Sequence, residues 1–260
     1  MPIPLYQVDA FTDRLFSGNP AAVCPLDAWP EDGWMQAVAA ENNLSETAFL
    51  VGGSGRYGLR WFTPATEVDL CGHATLASAY VIFNFVEPEL DEVTFDTRSG
   101  ELRVRRDGDW LRMDFPALPP TPCPCPEDLA RGLGRQPKAV LSADKYLAIF
   151  DTEAEIRALE PDMEMLKRLD LMGVIASAPG SDADFVSRFF APKAGVPEDP
   201  VTGSAHCVLM PYWAERLGKS SFLARQVSRR GGEIHCALKG DRVELAGQAV
   251  LFLRGEIMVS

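Results

Sequence analysis

The chain has 260 residues, 47% of them hydrophobic, and a formal charge of −12 at pH 7. That is enough apolar material for one large domain or two ordinary ones, and a charge that disfavours nucleic acid and anionic membrane surfaces as partners. No stretch approaches the ~20 apolar residues a membrane helix needs, and the N-terminus MPIPLYQVDAF lacks the basic start and apolar core of a secretion signal, so a soluble, cytoplasmic protein is expected. The six cysteines are scattered in a chain too large to need cross-links, which predicts reduced thiols. Neither Cys123-Pro124-Cys125 nor His73, His206 and His235 have the spacing of a metal site, so no metal is expected.

In chain order, Leu5 to Asp9 reads as a short strand and Phe11 to Pro20 as a polar, glycine-containing loop. Helical spacing through Trp34, Val38 and Ala39 predicts a helix over Pro30 to Asn42. Asn42-Asn43-Leu44-Ser45 ends that helix and passes Glu46 into a strand, Thr47 to Val51. Between apolar Leu44 and Ala48, Glu46 is placed for partial burial and a raised pKa, which a general acid/base near neutral pH requires. Arg56 to Phe62 reads as the next strand, and Val68 to Phe83 as a glycine turn with a helix. Strands follow over Val93 to Asp96, Glu101 to Arg106 and Trp110 to Phe115, with Asp107-Gly108 as a hairpin turn.

Pro116, Pro119, Pro120, Pro122, Pro124 and Pro126 cannot continue a sheet or helix. Residues 118–126 are therefore expected as a stiff linker between halves spanning 1–117 and 127–260, with the last strand available to the first half. The second half reads as a helix near Glu127 to Leu133, strands over Ala139 to Leu141 and Tyr146 to Phe150, and helices around Glu153 to Ala158 and Met163 to Leu169. Strands at Gly173 to Ser177 and Phe185 to Phe190 precede a central turn. Gln226 to Ser228, Glu233 to Leu238, Arg242 to Ala246 and Ala249 to Val259 then read as strands. One principal helix among many strands in each half predicts an α+β fold.

The central turn, EDPVTGSAH over Glu198 to His206, opens into the apolar helical run CVLMPYWAERLG. Such a junction leaves first-turn N–H groups free, with the positive end of the helix dipole behind them, and so suits a carboxylate. The chain contains this device twice. Arg60-Trp61-Phe62-Thr63-Pro64 leads to Cys71-Gly72-His73-Ala74, as Arg188-Phe189-Phe190-Ala191-Pro192 leads to Thr202-Gly203-Ser204-Ala205. Farther on, Arg98-Ser99-Gly100-Glu101-Leu102 is echoed by Arg230-Gly231-Gly232-Glu233-Ile234. The matches indicate an internal duplication.

Four blocks, VDAFTDRLFSGNPAAV, NNLSETAF, EVDLCGHATLASA and EDPVTGSAH, together resemble the phenazine-biosynthesis isomerase (PhzF-like) family. The resemblance implies a diaminopimelate epimerase-like fold: two pseudo-symmetric halves, each a curled mixed sheet around a central helix, with the active site in the cleft between them. It implies that Glu46 is the general acid/base, that His73 and Asp199 place the substrate and the migrating proton, and that Ser45, Gly72, Gly203 and Ser204 bind a small carboxylate substrate, largely through backbone amides. No cofactor is implied, and a homodimer is. Two other readings remain. An amino-acid racemase or epimerase on this fold uses two thiols, but the repeat places Thr202 opposite Cys71, and a hydroxyl cannot replace a thiolate there; Cys207 is expected in the core. A non-catalytic metabolite-binding protein needs the glycine turns but not a titratable trio.

Overall fold

The structure, a computed structural model, describes residues 2–258. Contacts divide the chain into two units, one comprising Met1–Asp114 with Ala246–Ser260, the other Phe115–Leu245. The first begins with β1 (Ile3–Ala10), β2 (Asn19–Leu26), α1 (Asp32–Asn42), β3 (Glu46–Gly53), β4 (Arg56–Phe62) and β5 (Glu67–Val68). There follow α2 (Gly72–Val81), β6 (Glu92–Thr97), β7 (Gly100–Asp107) and β8 (Trp110–Pro116). The second carries β9 (Thr121–Pro122), α3 (Glu127–Gly132), β10 (Ala139–Ser142), β11 (Tyr146–Ile149), α4 (Glu153–Arg157), α5 (Met163–Leu166) and β12 (Val174–Pro179). It continues through β13 (Phe185–Ala191), β14 (Val196–Asp199), α6 (Gly203–Leu217), β15 (Ser221–Gln226), β16 (Gly232–Lys239) and β17 (Arg242–Gly247). A last strand, β18 (Ala249–Ile257), belongs to the first unit.

Strand pairing repeats between the units. In the first, β1–β2 is antiparallel, β2–β3 parallel, β3–β4 and β4–β5 antiparallel, β4–β6 parallel and β6–β7 antiparallel. The second runs through β10–β11, β11–β12, β12–β13, β13–β14, β13–β15 and β15–β16 with the same senses in the same order. Even the outermost partner corresponds: β18 lies antiparallel to β1, and β9 antiparallel to β10. The duplicated motifs of the sequence are thus duplicated topology.

Each unit has one helix set deep among its strands, and its other helices lie outside. All of α2 except Gly72 and Tyr80 is buried, and it packs against β1, β2, β3 and β18. Alanine and serine make that burial feasible, because small side chains let a helix approach a sheet closely. The buried hydroxyls of Thr75 and Ser78 donate to Cys71 O (2.6 Å) and Ala74 O (2.7 Å) on the preceding turn. In the second unit α6 buries Val208, Leu209, Met210 and Trp213 despite Pro211 in its interior. The Trp213 Nε1–H donates to Ser177 Oγ at 3.0 Å, and its ring stacks on Phe185 at 5.5 Å. On the outer side α1 sets Met35 and Ala39 against Cys24, Phe49 and Phe62; α3, α4 and α5 set Leu129, Ile156 and Leu166 against Phe150, Val174 and Phe190.

Five features differ from the sequence reading. β2 is a buried strand between β1 and β3 although it contains Pro20 and Pro25, and its apolar run Ala21–Cys24 outweighs the proline signal. β5, β9 and β14 are too short to show a period. The strand expected at Gln226 to Ser228 is instead Ser221–Gln226, held parallel to β13 through Phe185↔Ala224. The proline-rich stretch 118–126 is tied along its length to the second unit, with Leu118 N–H donating to Cys207 O and Cys123 N–H to Val140 O. The last strand ends at Ile257, and Val259, where it was expected to end, lies outside the described residues.

Two left-handed glycines separate backbone preference from crowding. Gly18 (φ 67) has no room for a Cβ, which would lie 2.2 Å from Ala10 O, whereas Gly108 (φ 60) has nothing within 4 Å. Gly108→Ala is expected to cost roughly 1–2 kcal/mol. Gly18→Ala should cost more than ~3 kcal/mol, because the strain and the clash add. Equal urea midpoints for the two variants would contradict this.

Candidate active site

A guanidinium fixes the approach to each principal helix. Arg60 on β4 grips Glu67 on β5 with two bonds of 2.7 Å and reaches Asp32 on α1 with a third of 2.8 Å. Arg188 on β13 grips Glu198 on β14 at 2.7 and 3.0 Å and donates to Leu159 O and Ile156 O at the end of α4. Both guanidinium groups lie over the phenylalanine two residues on, Phe62 at 5.2 Å and Phe190 at 5.0 Å. Such bidentate pairs fix direction as well as distance. Four residues after each glutamate comes the extended residue that precedes a helix, Cys71 for α2 and Thr202 for α6, and neither side chain caps its helix. Gly72 and Gly203 therefore open the two helices, as the sequence indicates.

Around the start of α2 the structure gathers Glu46, His73, Cys71 and Asn19. Asn43, left-handed at φ 49, ends α1 and turns the chain through Ser45 so that Glu46 becomes the first residue of β3, opposite Ala21 of β2. Glu46 Oε2 lies 3.1 Å from His73 Nε2, with the imidazole side chain 5% exposed and the carboxylate 13%. The contact is a close charge pairing, not an aligned hydrogen bond, and both atoms are otherwise buried without a partner. On the other side of the ring, His73 Nδ1 is 3.1 Å from Asn19 Nδ2 and 3.4 Å from Cys71 Sγ.

Burial pushes the Cys71 thiol up to about 11, and Glu46 adds to the effect, so near neutral pH the sulfur keeps its proton. Burial pushes His73 down, while Cys71 and Glu46 push it up and, when both are charged, hold it well above the ordinary imidazole range. The sequence offered no metal spacing, yet Glu46, Cys71 and His73 bring one potential ligand atom each to within 4.8 Å of one another. That donor set is compatible with a divalent ion.

Asp199, Thr202, Gly203 and Ser204 form the corresponding group in the second unit. Thr202 Oγ1 donates to Asp199 Oδ2. Gln226, at the end of β15, holds this turn from beneath: its Oε1 accepts from Thr202 N–H at 2.8 Å, and its Nε2 donates to Asp199 O at 2.7 Å and Thr202 Oγ1 at 3.1 Å. His206 is not part of the polar group. Its Nδ1–H donates to Thr202 O at 2.8 Å, the same role that Thr75 plays for Cys71 O in α2. Cys207 is buried and its thiol is pushed up to about 12, as a core residue. Sequence reasoning missed Asn19 and Gln226. Asn19 stood in a recognised block but read as loop, and Gln226 read only as the start of a strand, with nothing to mark its side chain as part of a site.

A family model described as phenazine biosynthesis-like protein matches residues 8–255. An uncharacterized isomerase of Pseudomonas aeruginosa is 54% identical over 257 residues, 99% of either chain. The crystal structure of a PhzF-family phenazine biosynthesis protein from Enterococcus faecalis superposes with a TM-score of 0.97 at 44% identity, covering 100% of both chains. A predicted epimerase of Pseudomonas aeruginosa, 22% identical, superposes with a TM-score of 0.78 over 99% of this chain and 100% of that one. The fold is thus the α+β, two-repeat fold of the epimerase-like proteins, each repeat a mixed sheet around a central helix. Within that class, this chain belongs to the phenazine biosynthesis-like (PhzF) family.

His206 gives a pH prediction. Burial lowers its pKa from 6.5 to about 4, so between those values the unfolded chain binds the extra proton and the native protein does not. Its contribution is present above 6.5 and is lost as pH falls toward 4, by about 3 kcal/mol in all. In His206→Gln, urea midpoints should fall less between pH 7 and pH 4.5 than in the wild type; an equal fall in both would refute the assignment.

Proposed function

We propose that this protein is an isomerase that moves a proton on a small carboxylated metabolite, with Glu46 as general acid/base and neither metal nor organic cofactor required. The observation that carries the reading is the Glu46–His73 pair: a partly exposed carboxylate against a buried imidazole at 3.1 Å. A carboxylate so placed can take a proton from carbon and return it, while the ring steadies its charge and keeps its orientation. His73 and Asp199 place the substrate and the migrating proton. Ser45, Gly72, Gly203 and Ser204 bind its carboxylate, chiefly through backbone N–H groups at helix starts that no side chain caps. The cytoplasm and a homodimeric state are part of the proposal.

Two features weigh against a two-thiol racemase. The residue before Gly203 is Thr202, where Cys71 stands before Gly72, and the lone thiol is pushed up to about 11 by burial. A thiolate is therefore scarce at neutral pH, and no second sulfur stands in the matching place.

Glu46→Gln keeps the shape and removes the titratable group, so isomerisation should slow by at least the ~10²-fold expected for a lost general acid/base, with substrate binding retained. Cys71→Ser should cost much less. Solvent-deuterium incorporation reads the proton step directly; exchange that survives Glu46→Gln but vanishes in Cys71→Ser would replace this assignment with a one-thiol epimerase. A carboxylate substrate or sulfate should also raise the melting temperature of the wild type more than that of Gly203→Val, and equal protection of both would remove Gly203 from the anion site.

A further inference from the structure

His73 offers two nitrogens, and only the Nε2 side meets Glu46. What holds the other side decides which nitrogen carries hydrogen, and therefore what faces the carboxylate. Asn19 is wholly buried at the first position of β2, where it pairs with Ala10 of β1. Two residues farther along the same strand Ala21 stands opposite Glu46 of β3, so adjacent strands carry the amide and the carboxylate to either edge of one imidazole. The backbone leading into Asn19 has little freedom, because Gly18 before it is left-handed and packed against Ala10 O. The amide is delivered by the sheet, not by a loose loop.

We infer that Asn19 is a positioning residue: its amide N–H, 3.1 Å from His73 Nδ1, holds that nitrogen as an acceptor and so directs the single hydrogen of the neutral ring onto Nε2, toward Glu46. The opposite tautomer would set a lone pair against the carboxylate and a ring N–H against the amide N–H, two repulsions in a site with little water to relieve them. Cys71 Sγ, 3.4 Å from the same Nδ1, is a weaker partner and competes poorly with the amide. With Nε2–H beside it, the Glu46 carboxylate meets a hydrogen and not a lone pair. The groups that face the ring are Glu46, Cys71 and Asn19, and Asn19 is the one among them that cannot titrate, so its direction holds wherever the ring is neutral.

This inference rests on the proton-transfer reading of Glu46 for its significance but not for its test, since ring nitrogens report their own protonation without substrate. Protein labelled with 15N-histidine, with the His73 signals assigned by their loss in His73→Asn, is measured over a pH series, and the tautomer is read on the alkaline side of the His73 titration, which its neighbours move up. The wild type should show a neutral ring protonated on Nε2, with Nδ1 shifted as a hydrogen-bond acceptor. In Asn19→Asp, of nearly the same shape, the carboxylate should draw hydrogen onto Nδ1. In Asn19→Leu the Nδ1 resonance should move to that of an unbonded imine nitrogen. A wild-type ring carrying hydrogen on Nδ1 overturns the inference, as does either folded variant whose His73 spectrum matches the wild type. If the spectra behave as expected but Glu46→Gln leaves proton exchange intact, the reaction assignment fails while the role of Asn19 stands.

Discussion

Both halves of this protein hang on an arginine that holds three elements at once. In the first unit Arg60 joins β4, β5 and the start of α1; in the second Arg188 joins β13, β14 and the end of α4. A lysine could neutralise either glutamate, but it could not set two parallel bonds and a third in one plane. The consequence is geometric. With β5 and β14 pinned, the next residues cannot wander, and Cys71-Gly72 and Thr202-Gly203 enter their helices from a fixed direction. Every polar contact at the helix starts depends on that entry angle.

The two starts then diverge in use. In the first, the ring of His73 fills the space beside the helix and meets a carboxylate from a neighbouring strand; in the second, Ser204 stands in the matching place, and the turn is held from below by Gln226. The duplication thus supplies one backbone frame twice and lets each copy carry different chemistry. The same divergence appears one turn later. Thr75 and His206 satisfy the same carbonyl in their respective helices, so a histidine that looks chemical in the sequence is a structural donor, buried and neutral.

Much of this was legible in the sequence because the repeat is written in residues with strong conformational meaning. Arginine, proline and glycine recur in one order, and the central helices are largely apolar. Glu46 and His73 could be named as a site from their motifs, yet nothing local showed that they touch, since the contact is made across β2, β3 and α2. β2 was hidden by its own prolines, and with it went Asn19. Gln226 was displaced in the reading because the strand Ser221–Gln226, paired antiparallel with β16 and parallel with β13, follows the helix end without a period of its own that marks where it starts. The shortest strands, β5, β9 and β14, exist only as partners of longer ones and cannot announce themselves.

The pairing of β18 with β1 has a bearing on how the chain is made. Ile3 lies opposite Ile257 and Ala10 opposite Ala249, so β1 is made more than 200 residues before the strand it pairs with. The unit that emerges first is therefore completed second, while Phe115–Leu245, contiguous in sequence, has all its own strands before β18 is translated. During that interval β1 lacks one of its two neighbours and presents unpaired backbone groups, the condition in which strands seek improper partners. Closing the first sheet also spans nearly the full length of the chain, a long-range step of the kind that slows folding. The order of synthesis and the order of assembly run in opposite directions here, with the Glu46–His73 side of the molecule finished at the end.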